Sequence, residues 1–140
     1  MVIANCFHTK ILLMRGDIEL AKEPSENAVH VSLTRQLQFL EGFGRTTLGL
    51  AMLAGEELEE GITEYRLGCK IMADSGARFH SSVILSGGAA ANLQAGDPGA
   101  ARSALDIAIR FQDEAGERLW ASEVARLNGE IALANEEGED

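Results

Sequence analysis

Apolar residues recur at three- and four-residue spacing along almost the whole chain, a pattern that predicts seven amphipathic helices. The expected spans are about Ala4–Arg15, Ile18–Arg35, Phe39–Ala54, Leu58–Asp74, Phe79–Ala95, a sixth helix from Asp97-Pro98 to Gly116, and Leu119–Ala134. Asp97-Pro98 is the clearest start signal: the carboxylate can accept from free first-turn amides, and proline at the first helical position forfeits no useful donor. Ala101, Ala104, Leu105, Ala108, Ile109 and Phe111 follow at helical spacing until Gly116, which can take the left-handed conformation that ends a helix. The same count turns Leu58, Ile62, Tyr65, Cys69 and Met72 of the fourth helix inward. Pro24 lies inside the second span and predicts a break or kink near Glu23, with Ser25 and Glu26 in a restarted first turn.

The helices repeat with a period of 40 residues. Gly76-Ala77-Arg78-Phe79-His80-Ser81-Ser82 is matched by Gly116-Glu117-Arg118-Leu119-Trp120-Ala121-Ser122. The same offset links Ala21, Gly61 and Ala101, and it links Gly49, Ala89 and Gly129. The turn Gly16-Asp17 recurs at Gly96-Asp97, and the intermediate turn at Gly55-Glu56-Glu57 is shifted by one. One domain follows, made of antiparallel units at about 2–35, 39–75 and 79–115, a capping helix at about 119–135 and an acidic tail at 136–140. Phe79 and Trp120 open their helices at matched positions, where they would plug between successive units. Arg102, Asp106, Arg110 and Glu114 alternate in sign at four-residue spacing, the pattern of a solvated stripe.

Composition narrows the partners. The 140 residues carry a formal charge of −10, with seven cations against ten carboxylates in residues 1–70 and five against twelve in residues 71–140. Such a mean field opposes nucleic acid and anionic membrane surfaces. The hydrophobic fraction of 46% suffices for a core, while no stretch reaches the length of a membrane span or reads as a signal peptide. Cys6 and Cys69 sit within apolar helical patterns and read as reduced thiols, and a cytoplasmic location is expected.

The candidate chemistry is thin. His8, His30 and His80 are too far apart for an i, i+4 metal pair, and Cys6 and His8 point to different faces of a helix, so no cofactor or metal is expected. Glu56, Glu57, Glu59 and Glu60 gather at a helix start, where the helix dipole favours carboxylates. No serine or cysteine has a base placed beside it by a sequence signature. Arg15-Gly16-Asp17 reads as the turn that each repeat makes. Gly87 and Gly88 inside a helix weaken it by about 1 kcal/mol each. Close approach of a neighbouring helix would offset that, as would a ligand or symmetry partner against the bare backbone.

A helix, a Gly-Asp turn and a small residue five after that glycine (Gly16 to Ala21, Gly96 to Ala101) resemble the tetratricopeptide repeat in an enlarged form. The run from Gly116 to Glu130 resembles the end of the tetratricopeptide-like region at the C-terminus of large bacterial ATPase regulators, both cyclase-linked and transcription-factor-linked. Residues from about 37 to 133 fit that pattern and the first 36 fit it loosely. No Gly-x-x-x-x-Gly-Lys-[Ser/Thr] and no basic recognition helix is present, so neither ATP hydrolysis, cyclase activity nor DNA binding carries over. The resemblance implies an all-α, right-handed α-α superhelix of about three such pairs plus a C-terminal capping helix. It places Phe43, Thr46, Leu50 and Leu53 of the middle unit on the concave face, with Val83, Ser86, Ala90 and Leu93 of the third. Ile3, Cys6, Lys10 and Leu13 would join them from the first unit, and Glu123, Arg126 and Glu130 from the last helix, where Glu123 and Arg126 can also pair with each other.

The expectation is a non-enzymatic scaffold that binds a protein partner, or a second copy of itself, through this apolar face, as the regulatory module of a bacterial signalling or transcription regulator. Tight closure would instead make the same residues core. The alternative from another class is a small-molecule-sensing or enzymatic domain with the Gly87-Gly88 region as a pocket floor, and a further one is a fragment with meaning only inside a larger regulator.

Overall fold

The computed structural model describes residues 1–76, 81–116, 118 and 120–137. All regular structure among them is α-helical: α1 (Val2–Arg15), α2 (Ile18–Thr34), α3 (Gln38–Ala54), α4 (Leu58–Asp74), α5 (Ser81–Gln94), α6 (Pro98–Ala115) and α7 (Ala121–Glu137). The expected helix starts at Phe79 and Leu119, and with them Ala77, Arg78, His80 and Glu117 of the matched heptapeptides, lie outside the described residues. The chain separates into two compact units, Met1–Arg78 and Phe79–Asp140. In the first, α1 packs on α2 and α3, α2 on α3, and α3 on α4; in the second, α5 packs on α6, and both meet α7.

The helices end where the backbone turns left-handed, and these turns keep a stricter rhythm than the glycines. Positive φ falls at Gly16, Gln36, Glu56, Gly76, Gly96 and Gly116, every twentieth residue. Gly55, expected to mark the middle turn, has φ −86° and Glu56 next to it takes φ +66°, so the one-residue shift in the sequence leaves the geometry in register. Left-handed backbone disfavours a Cβ, so Gln36 and Glu56 each hold a conformation that glycine would adopt more readily. At Asp97 the expected cap forms: its Oδ1 accepts from the Ala100 amide at 2.8 Å.

Pro24 does not break its helix. α2 runs unbroken from Ile18 to Thr34. Proline removes the amide that would reach the Leu20 carbonyl, but Leu20 is exposed, so water can serve that carbonyl. Ser25 adds a local tie, its Oγ donating to the Lys22 carbonyl at 2.8 Å. The buried hydroxyls elsewhere are satisfied in the same way: Thr9 donates to Asn5 O, Ser32 to Ala28 O, and Thr47 to Gly44 O.

The second helix of each pair buries one row at the 40-residue offset: Ala21, Ser25, Ala28 and Ser32 in α2; Gly61, Tyr65, Gly68 and Met72 in α4; Ala101, Leu105, Ala108 and Gln112 in α6. In α4 this rotates the inward face away from the expected one. Leu58 is exposed and Ile62 and Cys69 are half-buried, because the glycines, not the larger side chains, meet α3. A Cβ on Gly49 would lie 2.6 Å from the Gly61 carbonyl oxygen and the Tyr65 amide nitrogen, and one on Gly68 would lie 2.6 Å from the Thr46 nitrogen. Gly42 and Gly61 are crowded as well, a Cβ there falling 2.9 Å from the Gly68 carbonyl oxygen and 3.0 Å from that of Gly49. Four glycines, seven apart on each helix, therefore let the α3 and α4 backbones touch, and the dense contact between them is the physical return for placing glycine in a helix. At the edge of that contact Arg45 joins the helices: its Nε donates to Glu41 Oε1 at 2.8 Å and its Nη1 to Glu64 Oε2 at 2.8 Å.

The second unit has a conventional aliphatic core, in which Ala89, Ala101, Leu105, Val124, Leu127 and Ile131 pack together.

Candidate interaction surface

The residues expected on an open apolar face fall in both units and differ in exposure. Phe43, Thr46 and Leu53 are each only 1% exposed, inside the first unit, which corrects their reading as a free partner surface. The cause is local. Thr46 and Leu53 lie on the side of α3 that meets Gly68 and Gly61 of α4. Phe43 is covered from the other side by α1, whose Phe7 ring meets it edge-on at 6.1 Å between centroids. Leu50 is half-buried. In the second unit Ser86 is buried, Ala90 and Leu93 pack half-buried against the aliphatic core, and the Val83 side chain lies outside the described residues. Glu123 and Arg126 pair: Arg126 Nε and Nη2 donate to the two Glu123 carboxylate oxygens at 2.8 and 2.6 Å, and Nη1 donates to Glu130. Gly88, the supposed pocket floor, is buried within α5, its carbonyl accepting from Asn92 Nδ2 at 2.8 Å.

Of the α1 positions, Cys6 is fully buried, and Leu13 and Lys10 are half-buried. Lys10 extends between two aromatic rings, its Nζ 5.2 Å from the Phe43 centroid and 5.9 Å from that of Phe7. Removal from water pulls its pKa down to about 8. Burial likewise pushes the Cys6 and Cys69 thiols up, which leaves both protonated and poor nucleophiles. Glu57, within the acidic cluster at the start of α4, receives Lys22 Nζ at 2.8 Å, so it ties α2 to α4 rather than standing ready for chemistry. Among the described residues no three His, Cys, Asp or Glu side chains are grouped to hold a metal ion, and no helix is long and apolar enough to cross a membrane.

The surface that does stand open is on α1. Ile3, Ile11 and Met14 are 42%, 54% and 78% exposed, and with half-buried Phe7 they fall at i, i+4, i+8 and i+11, along one side of the helix. Opposite them Val2, Cys6, Thr9 and Leu12 are buried. α1 is thus apolar on both its inner and its outer side, and its 14 residues contain no carboxylate. Reading the sequence one repeat at a time selected Ile3 and passed over Phe7, Ile11 and Met14. The available signal was the circumference of the helix, since the apolar residues of α1 exceed what one inward stripe can use.

Comparison with protein-family models, curated proteins and solved structures finds no match for this chain.

Proposed function

We propose that this chain is a non-enzymatic protein-interaction module, assembled from tetratricopeptide-like helix pairs, that engages protein through the outer side of α1. The observation that carries the reading is the exposed stripe of Ile3, Ile11 and Met14 on a helix whose opposite side is already buried. Large apolar side chains aligned at helical spacing are stabilised by being covered, and a few buried anchors supply most of the affinity at such contacts. The sequence resemblance to the C-terminal region of bacterial ATPase regulators suits a regulatory module of this kind, in which docking rather than catalysis is the output.

The test is a photocrosslinking amino acid at Ile11, with a second at Leu20, which is exposed on α2 and outside the stripe. The expected result is a discrete protein adduct of defined mass from position 11 and none from position 20. Absence of any protein adduct at position 11, in extract or with purified chain, refutes the reading.

A further inference from the structure

We draw no further inference here: the strongest candidate, the exposed apolar stripe of Ile3, Ile11 and Met14 along the outer side of α1, belongs to the surface already described, and nothing in the structure shows what covers it.

Discussion

Gly49 and Gly129 occupy the same place in the repeat, 80 residues apart, and the same substitution should move stability in opposite directions at the two. Both are inside helices, where replacing glycine by alanine restricts the unfolded chain and favours the helix by about 0.5–1 kcal/mol. At Gly129 nothing lies within 4 Å of the added Cβ, so Gly129→Ala should gain that amount. At Gly49 the Cβ would sit 2.6 Å from Gly61 O and Tyr65 N, against an ordinary contact of 3.4 Å or more, and both neighbours are backbone that cannot rotate away. The α3 and α4 axes must part by most of an ångström, which loosens the contact along both helices. Overpacking of this sort costs about 1–3 kcal/mol, so after the helix gain the net effect of Gly49→Ala is a loss of about 1 kcal/mol or more. Because the chain forms two compact units, a single global transition is not guaranteed, and urea unfolding by dichroism should be paired with amide exchange read separately in α3–α4 and in α7. Faster exchange in α3–α4 for Gly49→Ala and slower exchange in α7 for Gly129→Ala are expected. A neutral or stabilising Gly49→Ala would refute the close-packed glycine contact as the organising feature of the first unit.

Lys10 gives a pH signature. Its amine is held near 8 against an ordinary 10.5, so below pH 8 the folded state carries a charge-burial cost of about 3 kcal/mol. Between pH 8 and 10.5 the unfolded chain keeps a proton that the folded chain has released, and stability should climb with pH across that window, as read by urea midpoints. Lys10→Met should flatten the climb and stabilise the chain at pH 7, less the attraction of the ammonium for the Phe7 and Phe43 rings, about 0.5–2 kcal/mol. Glu56→Gly and Gln36→Gly place glycine at left-handed positions and should each raise the thermal midpoint, by up to about 1 kcal/mol of stability; a lowered midpoint would contradict the turn geometry. Arg45→Met leaves Glu41 and Glu64 half-buried without their shared cation and should cost about 1–2 kcal/mol, partly recovered when both are changed to Gln.

Much of the architecture is written in local signals. Helix spans follow from periodicity, from the Asp97-Pro98 cap and from the glycine stops, because each is settled within a turn or two of chain. Pro24 misled in the other direction: a proline break depends on whether the orphaned carbonyl can reach water, which is a property of the folded surface.

The sequence alone determined an all-helical chain and its 40-residue rhythm, since both rest on short-range spacing and turn chemistry. Which side of each helix is covered was decided only by the tertiary structure. Phe43 and Ile3 are alike in type and in place within the repeat, yet Phe43 is 1% exposed and Ile3 42%. Burial is a sum over neighbours distant in sequence, and the glycines that draw α3 and α4 together, like the open side of α1, become legible only when those neighbours are in place.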